Sequence, residues 1–167
     1  MVAMQVFSWI AFIGLCIKAG TLLVAMGFAA FGSLNQANSF AFGKDIMHLQ
    51  QEGAWMYIQG LSLMLAVLLL KVAMMWRVLQ IFQVLKLEAP FSSKVSDWLL
   101  NISYWALSAG ILSLTAEAYF KWLHNRGLAQ PLNGGSGEFL MLAGILFIVA
   151  QVFKKGVELQ RDNELTV

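Results

Sequence analysis

The sequence predicts an all-α integral membrane protein, a bundle of four transmembrane helices. Of the 167 residues, 59% are hydrophobic and 12% are charged, whereas an average soluble domain carries about 25% charged residues. The apolar residues are gathered in runs close to the roughly 20 residues that cross a bilayer as a helix. None of these runs alternates with period two, so spanning strands are not predicted. A chain of this length is expected to form a single domain.

Four spans follow one another along the chain, at residues 6–31, 54–75, 98–120 and 139–153. No basic residue precedes the first span, and only Lys18 interrupts it, so we expect an uncleaved helix and not a signal peptide. Residues 32–53 form a polar segment between the first two spans. Residues 121–137 form a second polar segment, in which Pro131 and several glycines are typical of irregular structure.

The stretch between the second and third spans is predicted to be an ordered elbow. The second helix meets no breaker between Gly60 and Pro90, so it is expected to extend roughly ten residues past the membrane. Polar residues recur in this extension every three positions, an amphipathic pattern, at Arg77, Gln80, Gln83 and Lys86. Pro90 then ends the helix, and Ser92 or Ser93 is placed to cap the third helix.

The distribution of Lys and Arg predicts that both termini are cytoplasmic, an N-in/C-in topology. The side that holds the termini and the elbow carries seven such residues, namely Lys71, Arg77, Lys86, Lys94, Lys154, Lys155 and Arg161. The opposite side carries three, Lys44, Lys121 and Arg126. The extension of the second helix is therefore expected on the cytoplasmic side, where it either projects into the cytoplasm against another helix or bends to lie in the membrane interface.

Composition and motifs argue against several classes of protein. The net charge of +2 is small and the basic residues form no run, so direct nucleic-acid binding is not expected. Cys16 is the single cysteine, which excludes an intrachain disulfide and a cysteine-based zinc or redox pair. The sequence contains no P-loop, no dinucleotide-binding glycine pattern and no HExxH motif. We therefore expect neither a cofactor nor an enzymatic activity.

The ionisable residues Lys18 and Glu117 lie inside predicted spans, where a charge near the membrane centre costs at least about 2.5 kcal/mol. Each shares a helix face with small residues, where membrane helices approach one another. Both are therefore expected to face the bundle interior, and a Lys18–Glu117 pair is geometrically feasible. Such a pair either only fixes the packing or titrates and lines an ion path; the remaining alternative is that the two never meet.

A metal site built from residues of the two polar segments is a weaker hypothesis. His48 and Glu52 are separated by four residues, so one helical turn would place them on the same face. Together with His124 they would offer ligands suited to zinc. The alternative is an ordinary solvated outer face.

The end of the chain carries a resemblance. Residues 152–160 read VFKKGVELQ and residues 163–167 read NELTV. Together with Pro90, Phe91 and Ser92 before the third span, they resemble a bacterial family of small four-span membrane proteins, the domain of unknown function 2975. The resemblance implies a multi-pass protein of the bacterial cytoplasmic (inner) membrane without an assigned activity. It also implies a neighbouring gene for a helix-turn-helix regulator of the phage-repressor type.

We therefore expect a non-enzymatic membrane regulatory or sensing protein whose cytoplasmic elbow and C-terminal tail bind a partner. The residues expected to make that contact are Arg77, Lys86, Phe91, Lys155, Glu158, Gln160 and Thr166. The tail beyond Phe153 is either such a docking peptide or a solvated, fraying end. The alternative function is a small transporter or channel subunit that uses Lys18 and Glu117, which would need to form a homo-oligomer because four spans are few for a solute path.

Overall fold

The structure is a computed structural model that describes residues 2–31, 54–84, 93–127, 132 and 135–164. Within these ranges the chain forms four helices and no strand, with α1 at Val2–Ala30, α2 at Ala54–Val84, α3 at Ser93–Asn125 and α4 at Ser136–Glu164. All four are long and apolar enough to cross a membrane. For the described residues, the prediction of an all-α fold with four spanning helices is confirmed.

Every helix is longer than the span predicted within it. The helices contain 29 to 33 residues, or about 44–50 Å at 1.5 Å per residue, against about 30 Å of hydrocarbon. The second helix does continue past Met75, to Val84. The fourth does not stop at Phe153 but continues to Glu164, because its polar segment contains no proline and several good helix formers. Up to that residue the tail is helical and not a fraying end.

Consecutive helices pack antiparallel, α1 on α2, α2 on α3, and α3 on α4, with the last pair in the most extensive contact. No other pair of these four described helices makes comparable backbone contact. The helices therefore pack side by side in chain order. The first and last, α1 and α4, make no extensive contact, so the bundle stays open between them. We call one end of the bundle the Ala30 end, where α1 and α3 finish, and the other the Val84 end, where α2 finishes.

The seam between α3 and α4 is built from small residues that recur every seven positions. Ser96 and Ser103 each donate a side-chain hydrogen bond across it, from Ser96 Oγ to the carbonyl of Ala150 at 3.2 Å and from Ser103 Oγ to that of Ala143 at 3.0 Å. Gly110 follows seven residues after Ser103. A seven-residue repeat keeps one face against an antiparallel neighbour over many turns.

Gly110 marks the closest approach along this seam. A Cβ placed on it would lie 2.8 Å from Cδ2 of Leu140 and 3.3 Å from the Leu140 backbone nitrogen, so only glycine fits without a shift of α4. Ala106 and Ser113, on the same face of α3, are also buried. The predicted use of this small-residue face as a helix contact is thus confirmed.

Two apolar clusters join the helices at different depths. The first combines Ala25 and Ala29 of α1 with Leu61 of α2 and with Phe120 and Leu123 of α3, at the Ala30 end. The second combines one residue of α2, three of α3 and one of α4: Met74, Ile102, Ala106, Ala109 and Ala143. The central helices α2 and α3 contribute to both clusters, whereas α1 and α4 each contribute to one. This division leaves the space between α1 and α4 unfilled.

Two serines of α3 provide a matched test of the seam. Ser103 and Ser113 are 4% and 1% exposed, but only Ser103 donates to another helix, and Oγ of Ser113 has no hydrogen-bond partner among the described residues. We expect Ser103→Ala to lower the free energy of unfolding by about 0.6 kcal/mol, and by roughly 1.7 at most. Ser113→Ala should be neutral or stabilising. Unfolding in a mild detergent, followed by tryptophan fluorescence, measures both; equal losses would contradict the seam.

Candidate functional site

Glu117 is held by the start of the neighbouring helix. Its carboxylate accepts two hydrogen bonds from Ser136, one from the backbone N–H at 3.1 Å and one from the hydroxyl at 2.8 Å. Ser136 is the first residue of α4, so the bonded N–H is one of those that no carbonyl of α4 can satisfy. A carboxylate also interacts favourably with the positive end of the helix dipole. The first role of Glu117 is therefore to anchor α4 to α3.

The surroundings of Lys18 differ from those of Glu117. It is exposed on α1, and no ion pair joins it to Glu117 in the described part of the chain. The expectation that Lys18 packs in the bundle interior is not met, because the buried residues among the described part of α1 are Ser8, Ala19, Ala25 and Ala29. The pair on which the transporter alternative rested is therefore not formed.

Lys71 is an intramembrane cation that the sequence reasoning missed. It was counted among the residues flanking the membrane, but it lies 17 residues after Ala54 and 13 before Val84, near the middle of α2. Its ammonium lies 4.9 Å from the centroid of the Phe139 ring on α4, a cation–π contact. Its central position between apolar residues was the signal available in the sequence.

An apolar groove of about 480 Å³ runs beside Lys71. It lies in the gap between α1 and α4, with α2 and α3 as its floor. Among the described residues that line it, Lys71 alone is charged, and the others are Leu15, Met74, Met75, Val78, Ile81, Phe82, Leu99, Ile102, Leu142 and Leu146. Its size falls in the range of roughly 300–1,000 Å³ that is usual for small-molecule sites.

Arg77 makes its contacts within the bundle. Its Nη1 donates to Oε1 of Gln80 at 2.8 Å, and its guanidinium lies 5.5 Å from the ring centroid of Trp105 on α3. Its Nε is buried without a hydrogen-bond partner among the described residues. Arg77 was predicted to face a partner, but these contacts direct it towards α3.

The C-terminal part of α4 is a charged helix with exposed apolar residues. Nζ of Lys155 and Oε2 of Glu158 are 2.8 Å apart and form an ion pair. Gln160 is exposed beside them. Val152 and Leu159, 59% and 57% exposed, are seven residues apart and so lie on one face of the helix.

Most of the other predicted site residues cannot be placed relative to one another, because they fall outside the ranges that the structure describes. Lys86, Phe91, Thr166, His48 and Glu52 all lie outside the described residues, as does the Pro90 elbow. His124 is in the last turn of α3 and is exposed. Within the described ranges, no group of three or more His, Cys, Asp or Glu side chains is placed to hold a metal ion.

Comparison with known proteins gives one match. A family model described as protein of unknown function (DUF2975) matches residues 41–167, well over half of the chain. No curated protein and no solved structure shows a significant match. The match covers α2, α3 and α4 together with the seam and most of the groove.

The anchor between Glu117 and Ser136 is tested by a double-mutant cycle. Glu117→Ala removes a charged acceptor of two hydrogen bonds, so we expect a loss of about 1.5–3 kcal/mol in the free energy of unfolding. Ser136→Ala removes only the hydroxyl and should cost less. Because both changes break the same contact, their effects should not add. Glu138→Ala, on the exposed side of the same helical turn, is the control; strictly additive losses would show that the two residues do not interact.

Proposed function

This chain belongs to the DUF2975 family, and on that premise we propose that it is a membrane regulatory or sensing protein that is not an enzyme. Its partner-binding surface is the C-terminal part of α4, residues 152–164, continued by the tail and the elbow. The partner is a cytoplasmic protein, and the gene neighbourhood implied by the family resemblance favours a helix-turn-helix regulator. The membrane is the bacterial cytoplasmic membrane, with both termini in the cytoplasm.

The observation that carries this proposal is the continuation of α4 beyond its apolar part. About 20 residues span the hydrocarbon, and α4 has 29. Its charges are concentrated after Phe153, at Lys154, Lys155, Glu158, Arg161, Asp162 and Glu164. Charged side chains are costly within the hydrocarbon, so this third of α4 is the part that projects into water.

The projecting part of α4 has the surface expected of a helix that binds another helix. The Lys155–Glu158 ion pair lies near the exposed Leu159, and Val152, exposed on the same face seven residues earlier, lies where the apolar part of α4 ends. Apolar residues seven apart with flanking charges are typical of helix pairing, in which the apolar residues supply affinity and the charges select the partner. Lys155, Glu158 and Gln160 therefore remain contact residues in the proposal, whereas Arg77 does not.

The proposed orientation is still favoured when Lys71 is left out of the count of Lys and Arg residues. With Lys71 inside the membrane and no longer counted, six Lys and Arg residues lie on the side of the termini and three on the other. The excess still favours the termini for the cytoplasmic side.

Thiol labelling tests the orientation directly. In a Cys16→Ala background, Arg126→Cys and Gln160→Cys each provide a single thiol on an exposed residue at opposite ends of the bundle. We expect a membrane-impermeant maleimide to label Arg126→Cys in intact cells and Gln160→Cys only after permeabilisation. The reverse pattern would overturn the proposed topology.

Partner binding is tested with two variants, one truncated and one with a point substitution. The protein in lipid nanodiscs should retain the purified regulator encoded beside its gene. Deletion of residues 156–167 should abolish retention, and Leu159→Asp should weaken it at least about tenfold, since a charge replaces an apolar contact residue.

Lys121→Ala is the matched control for Lys155→Ala, because both lysines are exposed in the C-terminal half of a helix but at opposite ends of the bundle. Only Lys155→Ala should weaken retention. Full retention by the truncated protein, with membrane insertion intact, would remove this proposal.

A further inference from the structure

We propose that the groove between α1 and α4 binds a long-chain fatty acid, with its carboxylate near Lys18 and Lys71 and its acyl chain directed towards the Val84 end. This inference does not depend on the regulatory role proposed above. It rests on the depth of the two lysines, on the side of α1 that Lys18 occupies, on the placement of the acidic residues and on the dimensions of the groove.

Lys18 and Lys71 lie at the same depth. The rings of Phe12 and Trp76, whose centroids are 5.6 Å apart, fix the register between the antiparallel helices α1 and α2. Lys18 lies six residues along α1 from Phe12, and Lys71 lies five residues back along α2 from Trp76. At 1.5 Å per residue these are displacements of about 9 and 7.5 Å in the same direction. The two lysines therefore differ in depth by only about 2 Å.

Lys18 lies on the side of α1 that borders the groove. Leu15 lines the groove, and Lys18, three residues further on, is about 60° from it around the helix. Phe12 lies about 60° from Leu15 in the other direction and contacts Trp76 instead. Lys18 is exposed, so its ammonium is free to reach the mouth of the groove beside Lys71.

No carboxylate of the described helices lies at this depth. Glu117 is bound to Ser136 at the Ala30 end, and the other described acidic residues lie within six residues of a helix end, at Asp97, Glu138, Glu158, Asp162 and Glu164. Two ammonium groups near the membrane centre each cost at least about 2.5 kcal/mol. A bound anion would offset this cost, so the charge of the site selects an anionic occupant.

The shape of the groove selects the rest of the occupant. From Lys71 to Phe82 its lining extends over 11 residues of α2, about 16 Å, which is about half the hydrocarbon thickness. Its walls are apolar from the lysine onwards. A bilayer phospholipid keeps its phosphate at the interface and would place only its chain ends beside the lysines. A single-chain carboxylate satisfies both the cations and the apolar walls, and it can enter from the bilayer through the open side between α1 and α4.

Native mass spectrometry of the detergent-solubilised full chain tests this proposal with three probes: palmitate, hexadecanol and dipalmitoyl phosphatidylglycerol. We expect one palmitate to be retained per chain, and the other two to bind at least about tenfold more weakly, since they lack the buried charge-assisted contact. Lys71→Met and Lys18→Met should each weaken palmitate at least about tenfold and leave hexadecanol unchanged, which also shows that these variants are folded. Lys71→Arg should restore palmitate binding.

Two leucines provide matched controls for the groove itself. Leu142, which lines it, and Leu107, which does not, are 41% and 43% exposed. Leu142→Trp should fill the groove and weaken palmitate and hexadecanol alike, whereas Leu107→Trp should change neither. Equal affinity for palmitate and hexadecanol, tighter binding of the phospholipid, or a protein dimer that disappears in Lys18→Met would each overturn the proposal. The last outcome would mean that a second copy covers the groove.

Discussion

The close approach of α3 and α4 is the contact on which the rest of the structure depends. Within lipid, apolar side chains gain little by leaving their surroundings for one another, so helices associate through close packing and interhelical hydrogen bonds. This pair has both, along its whole length: Ser96 and Ser103 donate to α4, Gly110 admits Leu140, and Glu117 holds Ser136. The other helices are added to this pair. Because α1 packs on α2 and α4 packs on α3, with no extensive contact between α1 and α4 among the described residues, their facing sides stay apart.

The separation of α1 from α4 determines the surroundings of Lys18 and Lys71. A closed bundle would bury Lys18 and Lys71 against apolar neighbours, whereas the open groove leaves Lys18 exposed and lets the stem of Lys71 line an apolar wall while its ammonium lies over Phe139. Trp105 of α3 plays a similar part, since the guanidinium of Arg77 lies over its ring. The cationic side chains of α2 are thus accommodated by aromatic faces on the neighbouring helices.

The sequence was sufficient for the number and character of the helices, because hydrocarbon leaves the backbone no alternative to helix. The small-residue face of α3 was also readable from its helical period. Lys71 was misplaced because, although it lies inside the predicted span of residues 54–75, it was counted with the charges that flank the membrane; the observed helix, Ala54–Val84, puts it near mid-helix. The hydrogen-bond partner of Glu117 could not be predicted from the sequence. Ser136 lies in a segment that was expected to be irregular, and no local pattern determines how one helix is rotated relative to another. Ser96, Ser103, Gly110 and Glu117 are spaced seven residues apart in the sequence, but this spacing identifies a contact face only when α4 is known to pack against it.

The central claim is that Lys18 and Lys71 lie together at the middle of the membrane, beside an open groove. Spin labels on Lys18→Cys, Lys71→Cys and Lys94→Cys, each in a Cys16→Ala background, measure depth by their collision rates with oxygen and with a water-soluble nickel complex. The structure predicts that the labels at positions 18 and 71 are equally deep, rich in oxygen collisions and shielded from nickel, while the label at position 94 is accessible to nickel. A label at position 71 as shallow as that at position 94 would contradict the account.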